Sequence, residues 1–210
     1  MPLGALLFLG RKTEKIISKE MEIDVVVANN GHAKYAQEIC DEMYISAQER
    51  GTGIAKRSPE YIVGKMKAGK AVIAIAKNGK FAGFSYIETW EGKKYVANSG
   101  LIVAHAFRGM GLAKRIKQRI FRLSREKYPD AKIFSITTGA AVMKMNYEIG
   151  FRPVPFGELT HDPEFWKGCQ GCKNFPILQN NNYRMCLCTG LLYDPMEHIA
   201  VQDAGIRIAQ

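Results

Sequence analysis

Apolar positions recur along the chain with two different periods. From Ile23 to Ala28 they crowd into one short run, and then Ala33, Ala36, Ile39, Cys40, Met43 and Ala47 return every three to four residues. The first pattern predicts a strand and the second one face of a helix opened by Asn30 or Gly31. Gly51 and Gly53 break that helix. Ser58-Pro59-Glu60 then supplies an N-cap, a first-turn proline and an acid for a second helix running to about Ala68. Three β-rich runs follow, Ala71–Ala76, Phe81–Thr89 and Tyr95–Val103. The connections Lys77-Asn78-Gly79-Lys80 and Glu91-Gly92-Lys93 are short enough for hairpins, so these strands are antiparallel. A long helix over Gly109–Lys127, a strand over Lys132–Thr138 and a helix over Ala140–Ile149 complete an α/β layout. Beyond Phe151 the pattern dissolves into a Pro-, Gly- and Cys-bearing loop, and strand character resumes at Tyr183–Tyr193. Residues 1–21 read as an extension, 22–195 as the folded domain with a Cys-rich part near 160–195, and 196–210 as a tail.

Composition narrows the class. A chain of 210 residues with 47% hydrophobic and 24% charged content buries an ordinary core, which excludes disordered and collagen-like proteins. No apolar run approaches the roughly 18 residues of a spanning helix, so no membrane partner is expected. The opening apolar stretch Leu3–Leu9 lacks a preceding basic residue and a following cleavage site, which favours a cytoplasmic location. There the five cysteines serve as ligands or buried thiols rather than cross-links.

Charge changes the picture more. Lys and Arg number 30 against 20 acids, a net charge of +10 that calls for a polyanionic partner. Eight basic residues lie between Arg108 and Lys127 against the single acid Glu126, so seven of the ten charges accompany one helix. Leu112, Ile116, Ile120 and Leu123 form its buried stripe and the basic residues take the other face. Just before it stands Arg108-Gly-Met-Gly-Leu-Ala113. Gly109 and Gly111 let backbone N–H groups approach an anion closely at a positively polarised helix N-terminus. The same glycines also suit an ordinary helix start, but neither a Walker loop nor the dinucleotide fingerprint matches.

The run Arg108-Gly-Met-Gly-Leu-Ala113, preceded by the strand end Val103 and the turn Ala104-His105-Ala106-Phe107, resembles the acyl-CoA signature of the GNAT N-acyltransferases. The element order from Ile23 to Phe151 resembles theirs too. The resemblance implies a GNAT fold, a mixed and mostly antiparallel sheet flanked by helices (α+β), and an enzyme passing an acyl group from CoA directly to an amine. It further implies that Leu101, Ile102 and Val103 pair with the pantetheine arm. Arg108, Gly109, Met110, Gly111, Leu112 and Ala113 would hold the pyrophosphate, with Lys114 and Asn146 also at the cofactor.

Such transfer needs a base for the amine and an acid for the leaving thiolate. Many relatives carry a Glu on the fourth strand, whereas Tyr95–Val103 contains no carboxylate. Asn98 or Ser99 is expected to position a water and Glu88 on the adjacent strand to take the proton. Relatives place a Tyr four residues before the Gly of a Gly-Phe pair; here Asn146 holds that place and Tyr147 follows it, so Tyr147 is the candidate acid or else a packed aromatic.

Across nearly the whole chain the sequence is similar to GNAT proteins of the Bacteroidetes arginine pathway, which acylate the α-amine of L-glutamate from acetyl-CoA or succinyl-CoA. Arg50 and Arg57 bracket a basic loop where GNAT folds admit the acceptor, and guanidinium groups suit carboxylates. They are equally ordinary as solvated charges. Cys169-Gln-Gly-Cys172 and Cys186-Leu-Cys188 fit a four-thiolate structural zinc site, with the second pair on one side of a strand; buried free cysteines are the plainer reading. Two other functions compete with a small amine acceptor: acylation of a protein lysine or N-terminus, and a nucleic-acid-binding module built on the basic helix. Against the last, no aromatics interleave the basic face, so no nucleic-acid partner is expected. A homodimer is an expectation from fold analogy alone.

Overall fold

The computed structural model describes residues 22–51 and 56–198. The extension 1–21, part of the basic loop (52–55) and most of the tail (199–210) lie outside the described residues.

Seven strands form one sheet: β1 (Ile23–Val27), β2 (Ala71–Ala76), β3 (Phe81–Trp90), β4 (Tyr95–Val103), β5 (Lys132–Thr137), β6 (Arg152–Val154) and β7 (Thr189–Tyr193). Their spatial order is β1-β2-β3-β4-β5-β7-β6. Every neighbouring pair is antiparallel except β4 and β5, which run parallel. The helices are α1 (Ala36–Arg50), α2 (Pro59–Lys67), α3 (Leu112–Lys127), α4 (Ala140–Glu148), α5 (Pro163–Lys167) and α6 (Phe175–Asn180).

Side chains that alternate along the strands feed two faces. On one, α3 lays Leu112, Ile116, Ile120 and Leu123 against Val72, Ala74, Ile87 and Val96. On the other, α1 and α2 cover Ile73, Phe84 and Tyr86 with Ile39, Met43, Ile62 and Met66. Farther along that second face the segment between β6 and β7 packs Phe156, Leu159, Trp166 and Leu178 on Phe134 and Leu192.

Several boundaries differ from those that periodicity predicts. Asn30–Tyr35 is a 3-10 turn, closed at its start by the Asn29 side chain on Gly31 N–H and by His32 Nδ1 on the Asn29 N–H, so the α-helix begins at Ala36. The long helix starts at Leu112 rather than Gly109, because Gly109 (φ +82°) and Gly111 (φ +71°) are left-handed. The final strand is Thr189–Tyr193, not Tyr183–Tyr193, so Cys186 and Cys188 precede it in irregular backbone. The weakly patterned stretch after Phe151 contains β6, α5 and α6. No helix among the described residues is long and apolar enough to cross a membrane.

Candidate active site

Two structures meet at the middle of β4. The first is an open backbone edge. β4 and β5 pair only over Tyr95↔Lys132, Val96↔Ile133 and Ala97↔Phe134. Beyond that point β4 continues to Val103 alongside β3, while β5 continues to Thr137 alongside β7. The two strands therefore part inside the sheet, and among the described residues the edge of β4 from Asn98 through Leu101, Ile102 and Val103 has no strand partner on the β5 side. An unpaired edge recognises extended, amide-bearing chains.

Past Val103 a 3-10 turn (His105–Phe107) leads to the glycine turn and α3, whose N-terminus carries no side-chain cap and no acid in its first turn. The first amides of a helix have no partner within it, and together with its dipole they attract an anion. A Cβ at Gly109 or Gly111 would meet nothing within 4 Å, so what these residues contribute is left-handed backbone beside open space.

The side chains around this turn are more self-contained than their charge suggests. Arg108 faces α1, bonded to Glu49 Oε2 at 2.8 Å, Glu42 Oε1 at 3.0 Å and Ser46 Oγ at 2.8 Å, and its own N–H donates to the His105 carbonyl. Lys114 pairs with Glu148 at 2.8 Å, which draws the last turn of α4 beside the first turn of α3. Met110 is exposed and Leu112 is buried in the core, which leaves their amides and that of Ala113 as the groups facing the turn. Asn146 is wholly buried; its Nδ2 donates to the Val142 carbonyl at 2.9 Å and its Oδ1 has no donor among the described residues. Tyr147, one position on, is 72% exposed.

Lys117 departs from the expected face of α3. It is 2% exposed, its Nζ lies 4.9 Å from the centre of the Phe151 ring, and its one polar neighbour is Asn98 Oδ1 at 3.4 Å. Burial lowers its pKa to about 7. Asn98 also donates to Ser124 Oγ at 2.7 Å. Adjacent strand residues point to opposite faces, so Asn98 turns to α3 while Ser99 turns to α1 and α2. The structure separates the two residues that the sequence had grouped.

The second structure is a polar cluster around Glu88, 5% exposed on β3. Its Oε2 accepts the Ser99 hydroxyl at 2.6 Å, and its Oε1 accepts Arg57 Nη2 at 3.1 Å and a short bond from the Tyr61 hydroxyl. Arg57 Nε donates to the Tyr86 hydroxyl at 2.9 Å. Burial, then the negative charge of Glu88, pushes the Tyr61 and Tyr86 hydroxyls well above the ordinary phenol range, so both keep their protons. Lys65, one turn after Tyr61 on α2, sits over the Tyr61 ring at 4.8 Å and the Tyr86 ring at 5.8 Å. Burial lowers its pKa while Glu88 opposes the shift. Arg50 is drawn back onto α1, its Nε on the Ser46 carbonyl at 3.0 Å, and only Arg57 of the two joins the cluster.

Tyr61, Lys65, Tyr86 and Lys117 escaped the sequence reading. The first two share a helix face at i, i+4, and Tyr86 shares a strand face with Glu88 at i, i+2, but nothing in either spacing says that α2 lies over β3.

No family model matches the sequence, and no curated protein does. Solved structures do. N-acetylglutamate synthase from Neisseria gonorrhoeae, complexed with coenzyme A and N-acetyl-glutamate, matches 82% of this chain at 18% identity and a TM-score of 0.57, and the chain spans 35% of that enzyme's length. The chain has the GNAT acyltransferase fold. A GNAT-family acetyltransferase from Staphylococcus aureus matches 83% of the chain and 99% of its own length, at 14% identity and a TM-score of 0.56. Salmonella typhimurium yncA, solved with its cofactor acetyl-CoA, matches 83% of the chain and 94% of its own length, at 14% identity and a TM-score of 0.55.

Proposed function

We propose that this GNAT-fold protein is an acyl-CoA-dependent N-acyltransferase whose acceptor is a small acidic amino acid, with the α-amine of L-glutamate the favoured nucleophile. The observation that carries the reading is the open edge of β4 running into an uncapped, glycine-bounded helix start. Leu101, Ile102 and Val103 offer backbone groups to the pantetheine amides, and the amides of Gly109 to Ala113 receive the pyrophosphate. Asn146 Oδ1, buried without a donor, is an acceptor that a pantetheine amide would satisfy.

In the reaction the neutral amine attacks the thioester carbonyl, the C–S bond breaks and an amide forms. Ser99, already bonded to Glu88, orients the amine or its water, and Glu88 receives the proton. Tyr147, whose neighbour Glu148 is tied to the first turn of α3, protonates the departing thiolate. The acceptor preference rests on charge: Arg57 and Lys65 are cations and Glu88 the anion, so the cluster keeps one positive charge for a substrate carboxylate. The acidic end of succinyl-CoA has the same chemistry, which makes it a donor beside acetyl-CoA. Against the nucleic-acid alternative, Arg108, Lys114 and Arg119 are paired with acids and Lys117 is buried, which removes half of the eight basic residues from the free face.

A thiol-release assay crossing acetyl- and succinyl-CoA with the common amino acids tests the proposal. Turnover with glutamate is expected, and Lys65→Met should raise the acceptor KM about tenfold, the loss of roughly 1.4 kcal/mol of binding. Turnover only with peptide lysines or N-termini would overturn the acceptor, and absence of thermal protection by CoA would overturn the cofactor.

A further inference from the structure

The long connection between β6 and β7 covers part of the sheet with little regular structure of its own. Its helices α5 and α6 span five and six residues, too short to persist alone. Yet it carries Phe156, Leu159, Trp166 and Leu178 as buried core. Four free, half-buried cysteines lie in this connection, one pair near its middle and one at its end.

The convergence is centred on Asn174. Its N–H donates to Cys172 Sγ at 3.5 Å, and its carbonyl accepts Cys186 Sγ at 3.8 Å, so one cysteine of each pair touches the backbone of the same residue. Cys172 N–H donates to the Cys169 carbonyl at 2.9 Å, closing a tight turn through Gln170 and Gly171. Cys186 and Cys188 are both half-buried while Leu187 between them is 64% exposed, so the second pair faces inward together although its backbone is not a strand. Cys169, Cys186 and Cys188 also pack against the same apolar cluster as Trp166 and Leu178, so thiols of both pairs lie in one neighbourhood.

We propose that Cys169, Cys172, Cys186 and Cys188 bind one structural zinc ion that clamps the β6–β7 connection onto the sheet. Among the described residues no three ligating side chains stand in a metal-holding arrangement, and Cys172 and Cys186 are engaged with Asn174, so the thiols must turn toward one another to bind an ion. Zinc binding would cost the Cys186 thiol its bond to the Asn174 carbonyl, give four Zn–S bonds and release one proton per thiol. The Asn174 N–H bond to Cys172 persists and strengthens once that sulfur is charged. Soft thiolates select zinc over magnesium or calcium, and four of them leave no open position for catalysis. The site is independent of the acyl-transfer reading.

The test is metal analysis of the full chain purified without chelator. We expect about one zinc per chain, retained in Cys40→Ser and lost in Cys172→Ser and Cys188→Ser. Because the serine variants could fail to fold, the wild-type chain is also titrated with a mercurial reagent, which should release the zinc as the four thiols react. Cobalt substitution should give sulfur-to-metal charge-transfer bands. Absence of zinc together with absence of the cobalt bands would overturn the proposal, as would zinc retained in both serine variants, release uncoupled from thiol modification, or iron in place of zinc.

Discussion

Glu88 is held by Arg57, Tyr61 and Ser99 on a side chain 6% exposed, and this fixes what it can do. Arg57 pairs with the carboxylate and the two phenols keep their protons, so in the proposed reaction the proton passes through the Ser99–Glu88 contact. Glu88→Gln preserves shape and removes the base. It should lower kcat by roughly a hundred- to ten-thousandfold with a far smaller change in CoA affinity, and its steady-state kinetics would show this. Tyr147→Phe acts at the other end of the reaction. It should lower kcat about tenfold or more while donor KM holds, and normal turnover would remove Tyr147 from the acid role.

β4 and α3 are the elements that turn a common sheet into a site. β4 carries an irregularity: Phe84 pairs with Ile102 but Tyr86 with Ser99, so one extra residue bulges out near Gly100. Gly100 has φ +62°, and a Cβ there would stand 2.3 Å from the Tyr86 ring. The bulge lets that ring lie over the strand and aim its hydroxyl at Arg57. The start of α3 depends on glycine for a different reason. Gly111→Val meets no obstacle, but its left-handed φ costs about 1–2 kcal/mol and the amides that face the turn must move. CoA affinity should fall about tenfold or more by calorimetry, with the midpoint of thermal unfolding shifted by only a few degrees. Unchanged affinity would show that the glycine turn does not hold the pyrophosphate.

On the scale of the whole molecule, the net charge of +10 is distributed differently from its sequence position. The two basic residues flanking the glycine turn, Arg108 and Lys114, are paired with acids from α1 and α4, so attraction for an anion there comes chiefly from the uncapped amides. Lys117 imposes a pH dependence on the entire fold. Its pKa is about 7 when folded and 10.5 ordinarily, so between those values the unfolded chain binds a proton that the folded chain does not. Stability therefore rises with pH across that window. From pH 7 to 9 this group should add about 2 kcal/mol, measurable by urea unfolding, and Lys117→Met should flatten the rise. An equal rise in the variant would place its source elsewhere.

The sequence by itself determined the strands β1 to β5, the helices α1 to α4 and the glycine turn. Each of these is local: its signal is a period of apolar positions or a residue such as Gly111 or Ser58 whose backbone or cap chemistry acts on its nearest neighbours. Glu88 and Ser99 became candidates differently, through the base that the family resemblance implies and β4 lacks. Tertiary structure decided what periodicity does not encode. The meeting of α2 with β3 joins Tyr61 and Lys65 to Glu88, and the parting of β4 from β5 opens the edge. Strand alternation sends Asn98 to Lys117 and away from Ser99. Packing overrode the charge of Lys117, because its position on α3 faces the sheet and the cost of burying its ammonium is reduced by loss of a proton. The same distinction holds in the β6–β7 connection, where spacing marked two cysteine pairs and only the folded chain brought both to Asn174.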